Sequence, residues 1–363
     1  MGILNFKTKL KYKPLKSTTA IRLVVIHPGS GDNPMECHLI HTEVGETAYE
    51  ALSYEWKESS QNGPMIIVND KRIIIRENLY HALKQIRHPE TDRYIWIDAL
   101  CINQRKVKER NAQVQIMGDI YSGASKVIVW LGNAEDKSDD AIKMLQDISA
   151  QVVLKRTEQI SDEEYENRLG HLSNNYSHKD WKALVALCQR PYWSRIWVLQ
   201  EVHLAKTYEV RCGSKFIGGA EFQSSIAPFA AGVIKTDISS DYCRIISTSA
   251  VAAHRLAKDI SSQSNTLRRW IIVTSSGGFI SKKPHDMIYA LLGVSRDWQN
   301  GEVALIPDYK KPLLDLFLDV VPIVKSKPPG INAKKALREL AKLFKCTTDA
   351  RVKEILSQLE RTH

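Results

Sequence analysis

Trp197 and Glu201 are a pair whose types and spacing are compatible with chemistry, although the spacing alone is weak evidence for it. They lie four positions apart in the stretch RIWVLQEV, so on a helix both side chains project from one face. A carboxylate beside an aromatic wall can stabilise the positive charge that develops on a sugar ring when its glycosidic bond breaks, or can attack that carbon. The same spacing occurs in many ordinary helices. The alternative is therefore an exposed helix carboxylate, or one that is ion-paired with a basic neighbour.

Two short apolar runs also end in polar residues. The carboxyl ends of parallel strands meet at one edge of an open α/β sheet, and ligands bind there. At such an edge an indole can stack on a planar ring, and side-chain amides can hydrogen-bond ribose or amide groups. The run YEALSY (49–54) supplies Ser53, Tyr54 and then Trp56, and the run YIWID (94–98) supplies Asp98 and then Asn103 and Gln104.

Each of these residue types also has a structural interpretation. Asp98 can simply cap the loop that follows its strand, because aspartate is a common turn residue. Cys101 is interpreted as a buried thiol, since no histidine is marked as its partner. Glu109 and Gln113 lie four apart at the start of a helix, and we interpret that pair as holding the preceding loop.

Strands and helices alternate through the first two thirds of the chain. This order predicts an α/β protein with a doubly wound, mostly parallel sheet. A hairpin is also expected around Asn69-Asp70, although Asn-Gly would be the stronger turn signal. The predicted strands are 21–27, 49–54, 65–68, 72–75, 94–98, 126–131 and 208–212, and the main predicted helices follow Asn78, span 109–122 and 139–153, and form two pieces within 181–205 broken at Pro191.

The chain is predicted to have four parts. Residues 1–47 form a leader that packs on the core, and 48–215 form the α/β core. A polar, mobile insertion is expected at about 151–180 within that core. Residues 216–325 form a helical extension, and 326–363 form C-terminal amphipathic helices that are expected to pack as a hairpin.

Composition narrows the classes of function. The formal net charge is +10, which favours phosphate-bearing ligands or acidic surfaces, although the charge is spread along the chain. Nucleic-acid binding is not favoured, because no zinc-finger, RRM or KH signature is present. The six cysteines are dispersed and no apolar run reaches about 18 residues, so a cytoplasmic protein without a membrane span is expected. Neither HExxH spacing nor a P-loop occurs, and no metal site is predicted.

Five segments in order give the chain a resemblance to the HET (heterokaryon incompatibility) domain of filamentous fungi. The resemblance extends over roughly residues 20–320, with DMIYALLGV (286–294) and IPDYKKP (306–312) similar to what commonly follows. One departure is Lys57, where the family usually has a glycine after the tryptophan, which puts a tight turn there in question. The five segments are YEALSYEW (49–56), ENLYHAL (77–83), YIWIDALCINQ (94–104), ERNAQVQIMGDIYSGASKVIVWLG (109–132) and YWSRIWVLQEV (192–202).

HET domains in turn resemble TIR domains, and this resemblance implies both a fold and a chemistry. It implies a TIR-like, flavodoxin-like core and hydrolysis of NAD⁺ by a glutamate within a W-x-x-x-E-like motif, which falls here on Trp197 and Glu201. Glu201 is then the predicted catalytic residue, and NAD⁺ is a substrate rather than a bound cofactor. Arg195, in the same stretch, joins Ser53, Tyr54, Trp56, Asp98, Asn103, Gln104 and Trp197 in the predicted ligand-binding set.

The resemblance also implies a biological role, in fungal non-self recognition that ends in cell death. The leading hypothesis is an intracellular effector that consumes NAD⁺ or a related nucleotide, self-associates on activation and responds to an incompatibility partner protein. It predicts that Glu201 and Trp197 line a pocket with Trp56 and Asn103. The alternative is a non-catalytic adaptor that acts by protein association, which predicts a closed or apolar cleft.

Overall fold

The computed structural model describes residues 10–58, 60–234, 240–249, 251, 265–276, 278–325 and 331–361. Nine strands within these ranges form one sheet. The parts of the predicted leader, helical extension and tail that fall in the gaps lie outside the described residues. The strands are β1 Ala20–Ile26, β2 Glu36–Glu43, β3 Glu50–Tyr54, β4 Met65–Val68, β5 Lys71–Ile74, β6 Arg93–Trp96, β7 Lys126–Trp130, β8 Tyr208–Cys212 and β9 Lys215–Gly218.

Four parallel strands form the centre of the sheet. Across the whole sheet the order is β5-β4-β2-β1-β6-β3-β7-β8-β9, and the neighbouring pairs from β6 to β8 are all parallel. Across the sheet the parallel strands run β6, β3, β7 and β8, which are the second, first, third and fourth of the four in the chain. This 2-1-3-4 order is the flavodoxin-like doubly wound arrangement. The register places Tyr54 of β3 opposite Trp130 of β7. The carboxyl ends of β6, β3 and β7 therefore share one edge.

The expected α/β class is confirmed, and the sheet is mixed rather than mostly parallel. Of its eight neighbouring strand pairs, four are parallel and four antiparallel. The antiparallel strands β2 and β9 were not predicted. β2 carries two histidines, a threonine and two glutamates in eight residues and fully buries only Cys37, so its apolar signal is weak.

The hairpin between β4 and β5 is confirmed, with Val68 paired to Lys71. Both turn residues have positive φ, 49° at Asn69 and 61° at Asp70. This is the backbone of a type I′ turn, whose twist matches that of the two strands it joins. Asparagine and aspartate adopt this conformation more readily than other residues with a Cβ.

Helices cover both faces of the sheet and make up most of the chain after β9. In chain order they are α1 Glu77–Ile86, α2 Asp98–Cys101, α3 Val107–Gln115, α4 Met117–Gly123, α5 Ser138–Thr157, α6 Asp162–Asn174, α7 His178–Cys188, α8 Val198–His203, α9 Gly219–Ala230, α10 Ser240–Ser247, α11 Leu267–Ser276, α12 Asp286–Leu292, α13 Arg296–Gln299, α14 Leu313–Lys325, α15 Ile331–Leu343 and α16 Ala350–Arg361.

The region expected to be a mobile insertion at about 151–180 is helical instead. It contains the end of α5, all of α6 and the start of α7. Two of its serines are helix caps: the side chain of Ser161 accepts a hydrogen bond from the backbone of Glu164, and Ser177 and Asp180 form a capping box. Tyr165 and Leu169 lie four apart and are buried against the core. Polar caps and an exposed helix face had given the segment the composition of a loop.

Two apolar cores meet along a seam that runs through α8. The first core lies around the sheet, and the second joins α11 to α15 with part of α16. Val198 and Val202 belong to the first core, whereas Ile196 and Leu199 belong to the second. The backbone at Ile196 also donates to Ile280 of the helical extension at 3.2 Å. The position of α8 is therefore fixed from both sides.

The two C-terminal helices α15 and α16 pack against each other and against the second core, as expected for a hairpin. Ala336, Leu337, Leu340 and Phe344 are buried on one face of this pair. None of the helices in the described ranges has both the length and the apolar composition needed to cross a membrane.

Candidate active site

Glu201 lies on the short helix α8 at the carboxyl-terminal edge of the parallel strands. A 3₁₀ helix, Pro191–Ser194, precedes it, and Pro191 occupies the first position of that helix, where its missing N–H costs nothing. The break at Pro191 had been predicted, and it turns the chain so that α8 lies against the sheet edge. Only 2% of Glu201 is exposed.

The buried carboxylate of Glu201 contacts two polar side chains, and a third is linked to it through one of them. The Ser53 hydroxyl, at the end of β3, donates a short hydrogen bond to Oε2 of Glu201. The same Ser53 oxygen lies 2.5 Å from the Tyr192 hydroxyl. On the other side, Nη2 of Arg195 is 3.6 Å from Oε1 of Glu201. Serine, tyrosine, arginine and glutamate therefore form one connected polar cluster in the wall of the sheet edge.

Burial and the neighbouring positive charge shift the pKa of Glu201 in opposite directions. Burial raises the pKa of the Glu201 carboxyl, while the guanidinium of Arg195 and the hydrogen bond from Ser53 partly offset that rise. Burial also opposes the charge on Arg195, but Glu201, Tyr192, Asp98 and Tyr121 together outweigh it, so the pKa of Arg195 is raised. The two charges depend on each other, and losing either would leave the other uncompensated.

Asp98 is a second carboxyl group close to the first. Its Oδ1 accepts hydrogen bonds from the Trp56 indole at 3.0 Å and from the backbone of Ala99 at 2.7 Å. Burial, followed by repulsion from Glu201, raises the pKa of Asp98 to about 6, against a smaller lowering by Arg195. Asp98 thus holds the backbone of the first turn of α2 at Ala99, and it is also electrostatically coupled to Glu201 and Arg195.

Trp56 is half-buried and has a cation on one ring face. The guanidinium carbon of Arg76 lies 4.5 Å from the centre of its indole, an arrangement that stabilises both groups. A ligand ring stacked on Trp56 would use the opposite face, or would displace Arg76. The indole N–H is directed at Asp98, so the ring orientation is fixed.

Asn103 and Gln104 lie on the loop between α2 and α3, beside a cavity of about 190 Å³. Tyr12 and Arg105 contribute to the same cavity. The Gln104 amide donates to the backbone carbonyl of Asp98 at 3.1 Å, which connects this loop to the carboxylates. Ligand pockets usually measure about 300–1,000 Å³, so this cavity matches part of a dinucleotide rather than all of it.

The loop between α2 and α3 is held in place by Glu109, as expected. Glu109 accepts from the backbone of Asn103 at 2.9 Å and pairs with the buried Arg22 at 2.6 Å. Arg22 also donates to the carbonyl of Cys101, and Gln113 donates to Ala20. Cys101 itself is fully buried, and burial raises the pKa of its thiol to about 12. It is therefore a structural thiol rather than a nucleophile.

The other two predicted residues have different surroundings. Trp197 is at the start of α8 and packs against both apolar cores. Tyr54 is buried at the end of β3, and its hydroxyl has no hydrogen-bond partner among the described residues. Burial and the neighbouring Asp98 raise the pKa of Tyr54 well above its usual value. Tyr54 therefore belongs to the electrostatic surroundings of the carboxylates.

The structure adds two residues that sequence reasoning missed. Tyr192 bonds Ser53 and lies within the YWSRIWVLQEV segment, but it was not singled out as a site residue. Arg76 lies one residue before α1, and only the fold reveals that it stacks on Trp56. Lys57, the departure from the HET pattern, is not among the described residues with positive φ. Its backbone therefore does not require glycine.

No cluster of three or more potential metal ligands occurs in the described parts of the chain. The site is defined by its own polar side chains: two coupled carboxyl groups, one guanidinium, a serine and a tyrosine hydroxyl, and an indole. Such a set can bind a polar ligand and stabilise a positive charge that forms beside the carboxylates.

Residues 49–201 match the model of the family described as Heterokaryon incompatibility protein (HET). The matched span begins just before β3 and ends at Glu201, so it contains every residue of the polar cluster around Glu201. The resemblance to HET domains is confirmed over this span.

A curated relative, "Heterokaryon incompatibility protein 6, OR allele" of Neurospora crassa, is 25% identical to the chain over 372 residues. The match covers 89% of this chain and 54% of the relative. The chain therefore spans about half the length of that protein. No solved structure matches the chain, so the TIR-like character of the core stays a prediction.

Proposed function

We propose that the chain is an intracellular effector of fungal heterokaryon incompatibility that hydrolyses NAD⁺ to nicotinamide and ADP-ribose, with Glu201 as the catalytic carboxylate. The observation that carries the proposal is the position of Glu201, bonded to Ser53 and paired with Arg195 at the carboxyl ends of the parallel strands. Open α/β sheets bind ligands at this edge. The match to HET proteins supports the biological role, and the six free cysteines are consistent with a reducing compartment.

The chemistry needs one ionised carboxylate near the sugar carbon. The bond between C1′ of the ribose and the pyridinium nitrogen breaks, its electron pair goes to that nitrogen, and neutral nicotinamide leaves. Glu201 would stabilise the positive charge left on the ribose until water adds to C1′ and releases a proton. Arg195 favours the ionised form of Glu201, so it has a positioning and charge-tuning role in this scheme.

Glu201 is 2% exposed in this conformation, so substrate must reach it by a rearrangement of the site. α8 lies at the seam of the two cores, and a shift of the helical extension against the sheet would open that seam. We propose that self-association triggered by a partner protein supplies this shift. NAD⁺ and NADP⁺ differ by one phosphate, and the proposal covers both.

The same burial favours a second candidate function, a non-catalytic adaptor. In that case the bonds from Ser53 and Arg195 satisfy a structural carboxylate, and the chain acts through its surface alone. The two functions differ in one respect that can be measured directly, which is the release of nicotinamide.

The test is product analysis with the purified full chain, at high concentration and after artificial clustering. Glu201→Gln keeps the size of the side chain and its ability to accept from Ser53, but removes the charge. Glu166→Gln, on the exposed face of α6, is the matched control. Nicotinamide release by the wild type and the control, with at least about a hundredfold loss in Glu201→Gln, supports the enzyme. No release by any folded protein in either state would leave the adaptor as the function.

A further inference from the structure

Two basic side chains lie on the same aromatic ring at the seam between the α/β core and the helical extension. The guanidinium carbon of Arg110, on α3, is 5.0 Å from the centre of the Tyr309 ring. The ammonium of Lys283, just before α12, is 4.6 Å from the same centre. The ring is fixed in place, because the Tyr309 hydroxyl donates to Oδ1 of Asp286 at 2.5 Å.

These two cations have no dedicated counter-ion among the residues that the structure describes. Neither forms an ion pair within the part of the chain that the structure describes. Asp286 attracts Lys283, but its two oxygens accept from Tyr309 and, at 2.7 Å, from Ser281. Partial burial, and then repulsion from Arg110, lower the pKa of Lys283. Holding two like charges together with only partial compensation costs free energy, which a bound anion would recover.

The segment that carries Lys283 also borders the candidate active site. The backbone N–H of Ile280 donates to Ser194, next to Arg195, at 2.7 Å. Two residues later, the Lys282 ammonium donates to the backbone carbonyl of Trp56 at 3.4 Å. Residues 280–283 therefore run from the Glu201 cluster past Trp56 to Arg110. Lys283 is exposed, and an anion can approach it from solvent.

We propose that Arg110 and Lys283 form a phosphate-binding site that takes the pyrophosphate of the dinucleotide substrate. A planar guanidinium binds two phosphate oxygens at once, and an ammonium adds a compact second charge. The link to substrate rests on the proposed function, whereas the anion site itself rests only on the contacts around Tyr309. Such a site would also couple substrate binding to the seam, because its two cations come from opposite sides of it.

Binding is tested by calorimetry on the full chain carrying Glu201→Gln, so that no turnover interferes. The probes are inorganic pyrophosphate and ADP. In this background Arg110→Gln and Lys283→Gln are each expected to weaken binding by about tenfold or more, the usual effect of losing a charge-assisted hydrogen bond. Arg110→Lys keeps the positive charge but loses the two-pronged contact, so it is expected to weaken binding less than Arg110→Gln does. Lys310→Gln removes one positive charge nearby but outside the pair, and is expected to change the affinity less than twofold.

The outcomes separate this proposal from the proposed function. Absence of pyrophosphate and ADP binding at millimolar concentration overturns the anion site, and so does binding that Arg110→Gln and Lys283→Gln leave unchanged in folded protein. Binding that depends on the pair, in a chain that never releases nicotinamide, supports the anion site and refutes the hydrolase. If a DNA duplex binds through the pair while pyrophosphate does not, the surface serves nucleic acid and the phosphate site is wrong.

Discussion

Replacing Asp98 by asparagine should stabilise the fold at neutral pH and leave it almost unchanged in acid. Asparagine keeps the oxygen that accepts from Trp56 and Ala99, but it cannot ionise. In the wild type the pKa of Asp98 is raised from an ordinary 3.8 to about 6, mainly by burial and by repulsion from Glu201. Between these two values the folded protein holds a proton that the unfolded chain has released. Stability contributed by protonated Asp98 is therefore full below pH 3.8 and is lost as the pH rises through about 6.

The size of the effect follows from the two pKa values. Their difference is about 2, and each pH unit is worth about 1.36 kcal/mol, so ionised Asp98 costs the fold up to about 3 kcal/mol above pH 6. The free energy of unfolding of Asp98→Asn should exceed that of the wild type by up to this amount at pH 7.5. The difference should shrink towards zero at pH 4.

Urea denaturation of both proteins across pH 4–7.5 measures this difference directly. Asp32→Asn is the matched control, because its carboxylate is fully exposed and changes neither burial nor repulsion. A difference between Asp98→Asn and the wild type that stays constant with pH would refute the raised pKa of Asp98. A decrease in stability at neutral pH would show that the Asp98 charge is favourable.

Three further substitutions test other parts of the structure. Arg195→Met removes the cation beside Glu201 and should lower the free energy of unfolding by roughly 3–5 kcal/mol at pH 8. The loss should be smaller at pH 5, because protonation of Glu201 removes the uncompensated charge. Urea denaturation that gives the same loss at both pH values would contradict this. Asp70→Gly should stabilise the chain by up to about 1 kcal/mol, because glycine accepts the 61° φ of the type I′ turn without strain; an unchanged or lower urea midpoint would contradict this. Gly213→Ala should destabilise the fold by roughly 1–3 kcal/mol, because the new Cβ would lie 2.7 Å from the Cβ of Ala134 and the backbone φ is 56°. A thermal midpoint equal to that of the wild type would disprove the clash.

Much of the parallel core could be predicted from the sequence, because its strands are short apolar runs bounded by turn residues. β3 and β7 each bury four of their five side chains, and β6 buries its last two, Ile95 and Trp96, so these strands read as apolar runs. The edges of the sheet could not be predicted equally well. β2 and β9 expose much of their surface, and their residue types resemble those of loops. The helical stretch at 162–174 was missed for the same reason.

The candidate site was predictable in its residues but not in its contacts. Spacing placed Glu201 on a helix and Ser53 and Asp98 at strand ends. The partners Tyr192 and Arg195 come from the turn before α8, and their approach to Ser53 and Glu201 depends on how Pro191 redirects the chain. Arg76 reaches Trp56 from a different element altogether. Contacts of this kind depend on tertiary packing, which local periodicity does not encode.

The site also depends on residues beyond the span that matches the HET family. Residues 49–201 exclude β1, which pairs with β6, and β8, which pairs with β7 on the edge of the parallel core. They also exclude Ile280, whose backbone bonds both Ser194 and Ile196 around Arg195. Leu199, two residues before Glu201, is buried in the second core rather than the first. The polar residues of the site therefore lie within the matched span, while contacts from the helical extension hold the helix that carries the Glu201 carboxylate. Contacts from both apolar cores therefore hold α8, and Glu201 is only 2% exposed on that helix.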